Sequence, residues 1–181
     1  NGEQYRLFSQ KMRAIYADFT DQIEPFGLDE SWLDVSGTRM DALQIASAIR
    51  RRAREELGIT VSVGVSFNKV FAKLGSDLHK PDATTVISPQ NYRDKIWPLP
   101  ASELLLIGRA TARKMREYGI VTIGDIARAA PQSLHALLGK CGDLLYTYAT
   151  GQDDAPVAVS GHEAELKSIG NSTTPAYDID T

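Results

Sequence analysis

Trp97-Pro98-Leu99-Pro100 divides this chain into two folding regimes. Two prolines within three residues remove two backbone donors and push the residues before them out of the helical region. Ahead of the break, apolar residues recur with both helical and strand periods. Past it, no strand pattern appears until about residue 167. The first part therefore reads as a sheet covered by helices, of α/β or α+β class. The middle reads as a small all-helical unit of about fifty residues with short helices at 101–105, 109–118, 122–130, 131–138 and 142–150.

In the first part, Tyr5, Phe8, Met12, Ile15, Tyr16 and Phe19 recur at spacings of three and four, which predicts an amphipathic helix over 3–21. It opens with no strong cap, as a portion of something longer would. Ile23 and Phe26 lie before Gly27, and Trp32, Leu33 and Val35 after it, the pattern of a β-hairpin. A second helix is expected at 41–57, with Asp41 as N-cap, Ile45, Ile49, Ala53 and Leu57 as its stripe and Gly58 as its stop. Strands follow at 60–66 and 84–87. Between them Asn68 caps a helix at 69–78, and Ser88-Pro89 starts another at 89–97.

Charge is unevenly spread. The formal net charge is −3, yet residues 50–80 hold seven Lys/Arg (Arg50, Arg51, Arg52, Arg54, Lys69, Lys73, Lys80) against Glu55, Glu56 and Asp77. Such a middle can face an anion even in a mildly acidic chain. From Gln152 onward the balance reverses: Asp153, Asp154, Glu163, Glu165, Asp178 and Asp180 face only Lys167, so 152–166 reads as a linker before a strand beginning at 167–170. No apolar run has the ~20 residues of a membrane span, and the first residues have neither the basic start nor the apolar core of a signal peptide. The single Cys141 leaves no internal disulfide and fits a reducing, cytoplasmic setting.

Three places can carry chemistry. Asp29 and Glu30 sit at the hairpin tip, and hard cations such as Mg²⁺ are held by one or two carboxylates plus substrate phosphates. Neighbouring strand residues point to opposite faces, so the pair can share an ion only if the turn bends the backbone between them. Read alone, the pair is first of all an ordinary polar turn. Leu106 to Ala112 and Tyr118 to Asp125 each join short helices through glycine, which offers backbone N–H groups to a phosphate, with Arg109 and Lys114 adding charge. Gly108 and Gly119 are also what plain helix caps look like. Lys69, Lys73 and Lys80 form the third place, suited to phosphate or to solvent.

The order of these motifs resembles a known family. Gly27-Leu28-Asp29-Glu30-Ser31-Trp32-Leu33-Asp34-Val35 is similar to the second catalytic motif of the Y-family, translesion DNA polymerases. Gly64-Val65-Ser66-Phe67-Asn68-Lys69-Val70-Phe71-Ala72-Lys73-Leu74-Gly75-Ser76-Asp77, followed by Lys80-Pro81, resembles that family's next block, and 106–125 resembles the helix-hairpin-helix of its thumb. The chain departs from the family pattern at three points. Gly27-Leu28 stands where Ser-Ile is usual, Leu106 where the first glycine of a Gly-x-Gly turn is expected, and Asp82 where Lys80-Pro81 is usually followed by Gly.

The resemblance implies an α+β fold: a partial polymerase palm with a mixed or antiparallel sheet over 1–98, a helix-hairpin-helix thumb over 99–151, and a linker with the start of a little-finger domain over 152–181. It implies that Asp29 and Glu30 are catalytic ligands of Mg²⁺, two ions in the complete enzyme, with Glu30 on the ion that activates the primer 3′-hydroxyl. Lys80 would contact the triphosphate of the incoming dNTP. Ile107, Gly108, Arg109, Thr111 and Lys114 would grip the backbone of primer-template DNA, and Asp34 would be structural. The family's first metal-binding Asp, its fingers and its ribonucleotide filter precede the stretch present here, so the chain is expected to be inactive alone. Contact with a sliding clamp would fall to regions absent here, and no membrane partner is expected. The alternatives are a non-catalytic DNA-binding relative, a palm-like nucleotide cyclase, which lacks support from any Gly-Gly-Asp/Glu-Glu-Phe signature, and a plain helix-hairpin-helix module, which leaves 1–98 unexplained.

Overall fold

A computed structural model describes residues 2–159. Helix α1 (Gly2–Ala17) leads into strands β1 (Ile23–Phe26) and β2 (Glu30–Leu33), then α2 (Ala42–Leu57), β3 (Val63–Ser66), α3 (Lys69–Leu78), β4 (Thr84–Ile87) and α4 (Tyr92–Ile96). A 3₁₀ turn at Ala101–Glu103 precedes α5 (Arg109–Glu117), α6 (Ile123–Arg128), α7 (Pro131–Leu138) and α8 (Lys140–Ala149). The expected strand at 167–170, the later part of the linker and the start of a little-finger domain lie outside the described residues.

Capping chemistry sets most boundaries. Asp41 accepts from Leu43 N–H while the Gln44 side chain accepts from Asp41 N–H, a reciprocal box, and Gly58 closes α2 at φ +67°. Asn68 accepts from Phe71 N–H to start α3. Several expectations shift. The helix expected at 101–105 is only a 3₁₀ turn at Ala101–Glu103, because the chain is already extended at Leu104. Helix α1 stops at Ala17 rather than at 21, because the Phe19 and Thr20 amides both turn back to Tyr16 and the Thr20 hydroxyl donates to the Asp34 carbonyl at 2.7 Å. Helix α4 begins at Tyr92 rather than 89. Ser88 to Asn91 form a turn, closed by the Asn91 N–H on the Ser88 carbonyl and by the Ser88 N–H on Asn91 Oδ1, that leads directly into the helix. Strand β3 starts at Val63 rather than 60, the residue at which its pairing with Thr84 of β4 begins.

The single mixed sheet expected of a partial palm is instead two small sheets. Strands β1 and β2 pair antiparallel, and β3 and β4 pair parallel through α3. Among the described residues neither β2 nor β3 has a partner on its second edge. The two strands border a common cavity of about 990 Å³. The physical reason is that each strand pairs only with its neighbour in the hairpin or the βαβ unit, and no described segment bridges the two pairs.

Two apolar clusters hold the chain. Met12, Ile15, Ile45, Ile49 and Ala53 join α1 to α2, with Tyr16, Phe19, Leu33 and Val35 packed against them. A larger cluster runs from Val70, Phe71 and Leu74 through Ile87 and Ile96 to Met115, Ile123, Leu134 and Leu145, so it passes straight across the proline break. Trp97 spans that break, donating its Nε1–H to the Ala149 carbonyl at 3.0 Å.

Candidate active site

The hairpin is built as its composition requires. Gly27 takes φ +74°, which a side chain would resist, and Phe26 pairs with Glu30 across a three-residue loop. Asp29 is exposed within that loop, and Glu30, half-buried, opens β2. The two carboxylates are thus divided by the end of the turn rather than consecutive along a strand. Asp29, Glu30 and Lys80 all border the cavity between β2 and β3. Behind the tip, Phe26 and Trp32 rings sit 4.7 Å apart. Asp34 fixes the exit from β2: its Oδ1 accepts from Ser36 N–H at 2.8 Å, which lowers its carboxyl pKa.

Helix α3 lies against the hairpin and ties both strands. The Trp32 indole donates to the Lys69 carbonyl at 2.9 Å. The Lys69 ammonium donates to both oxygens of Glu24 at 2.9 Å, lies 5.0 Å from the Trp32 ring centroid and reaches the Pro156 carbonyl. One turn on, Lys73 reaches Glu30 at 3.0 Å and Asp77 at 2.5 Å, and Asp77 in turn holds Lys80 at 2.6 Å. For Glu24, burial pulls the carboxyl pKa up, but the Lys69 ammonium and the Ala158 N–H outweigh it and the net shift is downward. Asp77 behaves alike: burial raises it, and the two lysines bring it below the ordinary value.

Lys69 and Lys73 lie on one face of α3, as their spacing predicts, and each has an acidic partner on the hairpin that the spacing does not reveal. The signal for Asp77 was present in the spacing of Lys69, Lys73 and Asp77, each one turn apart and so on a common stripe. Among the described residues no set of three His, Cys, Asp or Glu side chains could hold a metal. Two carboxylates remain a donor set that suits Mg²⁺, whose other positions are filled by water and phosphate.

The second place lies in the helical part. Leu106 adopts φ +72°, a left-handed conformation, at the position where glycine was expected. Gly108 then starts α5 without any side-chain cap, so the first-turn amides of α5, which begin at Arg109, have no side-chain acceptor there. Gly108 and Arg109 are exposed and Thr111 is half-buried. Ile107 is a core residue whose N–H is taken by the Leu104 carbonyl at 3.2 Å. Lys114 donates to the Leu137 carbonyl at 2.6 Å, at the end of α7. Helix α6 differs from α5: Thr122 and Asp125 close its N-terminus by a reciprocal capping box. No described helix is long and apolar enough to cross a membrane.

Residues 1–77 match the impB/mucB/samB family. The chain is 49 % identical to DNA polymerase IV of Acetivibrio thermocellus over 99 % of its own length and 46 % of that protein's. It is 38 % identical to DNA polymerase IV 1 of Bacillus subtilis, over 98 % of this chain and 43 % of the relative. Among solved structures it is similar to DinB from Sulfolobus solfataricus, at 31 % identity and a TM-score of 0.77, covering 87 % of this chain and 48 % of that one. An insertion ternary complex of Dbh DNA polymerase aligns with a TM-score of 0.78 at 30 % identity, over 87 % of this chain and 47 % of that one. The chain spans about half the length of the curated relatives it matches. Shared residues along nearly its whole length, on a backbone that follows DinB, match this chain to the N-terminal portion of a Y-family DNA polymerase, most like bacterial DNA polymerase IV.

Proposed function

We propose that the chain is the palm-core and thumb portion, 1–98 and 99–151, of a DNA-directed, error-prone translesion polymerase. The observation that carries this reading is the meeting of Asp29, Glu30 and Lys80 around one cavity, fifty residues apart in sequence. Asp29 and Glu30 supply hard oxygen ligands at the hairpin tip. Bound there, two Mg²⁺ ions would promote loss of the primer hydroxyl proton and offset charge on the phosphates. Lys80 is exposed at the rim and presents a point charge to the triphosphate of a dNTP. Lys73 and Asp77 keep that rim balanced in charge. The uncapped first turn of α5, with Gly108, Arg109 and Thr111, offers amides to a backbone phosphate of primer-template DNA without reading its bases. Lys114, one turn further along α5, adds charge, and Ile107 serves the turn by anchoring it in the core.

The edges of β2 and β3 that carry no partner among the described residues leave room for a strand of the longer protein, and we place its first metal-binding Asp there. A sliding clamp would be met through other parts of that protein. The test is primer extension. The isolated chain should give no template-dependent incorporation, and the full-length protein should. Glu30→Gln in the full-length protein should lower incorporation by at least about a hundredfold. Unimpaired incorporation by that variant would overturn the assignment, and incorporation by the isolated chain would overturn its incompleteness.

A further inference from the structure

The Lys73 ammonium joins Glu30, at the hairpin tip, to the rest of the site. It sits between Glu30 of β2 at 3.0 Å and Asp77 of its own helix at 2.5 Å, and its side chain is only 19 % exposed. Asp77 is shared, since it also holds Lys80 at 2.6 Å. The four side chains form a single alternating row, Glu30, Lys73, Asp77, Lys80, reaching from the hairpin to the rim. A cation arriving at Glu30 would meet a carboxylate already neutralised by a protein ammonium. Two positive charges cannot share that oxygen pair without cost, so the ammonium must have somewhere to go. Asp77 is that place: it lies one helical turn away and already accepts from Lys73.

We infer that Lys73 is a positioning residue: it holds the Glu30 carboxylate when no cation is present and yields it to one, with Asp77 as the alternative partner that takes the ammonium. The inference rests on the reading of Glu30 as a metal ligand. Lys69 provides the contrast. It is on the same face of α3, but it is committed to Glu24 and the Pro156 carbonyl, so it adds to the local field without occupying Glu30.

The experiment is Mn²⁺ binding to the full-length polymerase carrying this segment, without nucleotide, read from the electron paramagnetic resonance signal of free Mn²⁺. Lys73→Met should bind Mn²⁺ roughly fivefold more tightly than wild type, a coupling of ordinary size between linked sites. Lys73→Arg, which keeps the cation, should stay within about twofold of wild type, and Lys69→Met likewise. Asp77→Asn leaves Lys73 to Glu30 alone and should weaken binding roughly fivefold. The double variant Lys73→Met/Asp77→Asn should match Lys73→Met, because Asp77 acts through the ammonium. Simple addition of the two single effects would mean a diffuse charge effect and would overturn the proposal. So would unchanged affinity in Lys73→Met while Glu30→Gln weakens binding, an outcome that leaves the metal reading standing. Unchanged affinity in Glu30→Gln would overturn both. Circular-dichroism melts of each variant identify any that fails to fold, and Asp77→Asn, of equal size to the original, carries the test if Lys73→Met does.

Discussion

Gly64→Ala should be among the most damaging single substitutions in the chain. Gly64 is the second residue of β3, and α3 crosses directly over it. A Cβ built there would lie 1.8 Å from the Ala72 carbonyl oxygen and 2.7 Å from the Ser76 nitrogen. Real Cβ atoms essentially never come within 3.0 Å of another atom, so the strand and helix would have to part by about 1.2 Å at this point. Both colliding groups are backbone, so no rotamer change relieves the clash. Parting them loosens Val70, Phe71 and Leu74, which seat α3 in the larger core. Overpacking commonly costs about 1–3 kcal/mol, and a backbone-on-backbone clash belongs at or above the top of that range. At about 2–4 °C per kcal/mol for a domain of this size, the melting temperature should fall by about 6–12 °C.

Gly75, facing Gly64 from α3, is the internal control. A Cβ there meets the Ile87 Cδ1 methyl at 3.0 Å and the Gly64 Cα at 3.3 Å, so the neighbours need give by only a few tenths of an ångström rather than by more than one. Alanine also gains roughly 1 kcal/mol over glycine inside a helix. Gly75→Ala should therefore be near neutral. Differential scanning calorimetry of both variants decides the matter. Equal melting temperatures for the two, or a Gly64→Ala protein within about 1 kcal/mol of wild type, would refute the view that bare backbone contact seats α3.

Three further outcomes are expected. Leu106→Gly should stabilise the protein by about 0.5–1 kcal/mol in denaturant titrations, since relief of a left-handed leucine, about 1–2 kcal/mol, exceeds glycine's added unfolded-state entropy, and the exposed side chain gives up little packing. Asp125 is held down to about 2, chiefly by the Thr122 backbone N–H, with burial opposing and the Thr122 hydroxyl, Val121 N–H and Arg128 assisting. Its folded pKa lies below its ordinary 3.8, so its stabilisation is full above about pH 4 and is lost as pH falls towards 2. Asp125→Asn should flatten the stability profile in that window, and an unchanged profile would sink the assignment. Arg109→Ala in the full-length protein should weaken DNA binding alike on all sequences and lower the salt slope by about one, and a sequence-dependent loss would point instead to base contact.

Much of the fold was legible because its punctuation is local. Asp41, Gly58 and Asn68 end or begin helices through atoms within four residues of themselves, and α2 and α3 fall where those caps put them. The hairpin was legible because Gly27 and its flanking apolar runs act at short range. Ser88-Pro89 marks the start of α4 to within three residues for the same kind of reason: Asn91 closes a turn on Ser88 that runs directly into the helix at Tyr92. What is non-local did not show. No pattern in 23–33 or 63–87 says whether the two strand pairs share a sheet, because side-chain alternation reports which face is buried and not which strand lies on the open edge.

The candidate site divides along the same line. Asp29 and Glu30 were recognisable from one continuous motif, and Gly108 and Arg109 from another. Lys73 was visible only as a cation on a helix face, because its partner Glu30 lies forty-three residues upstream on a different element. An isolated lysine, an acidic turn and an acid near a helix end are each ordinary surface features. The row becomes specific only after α3 is laid against the hairpin. That placement depends on Trp32 bonding to the Lys69 carbonyl and on Gly64 letting the helix touch the strand. A glycine with no side chain and an indole with one donor therefore determine whether Glu30 faces an ammonium at all. Variants at Gly64 should disturb cation binding without altering any charged residue, and that joins the stability experiment to the metal titration.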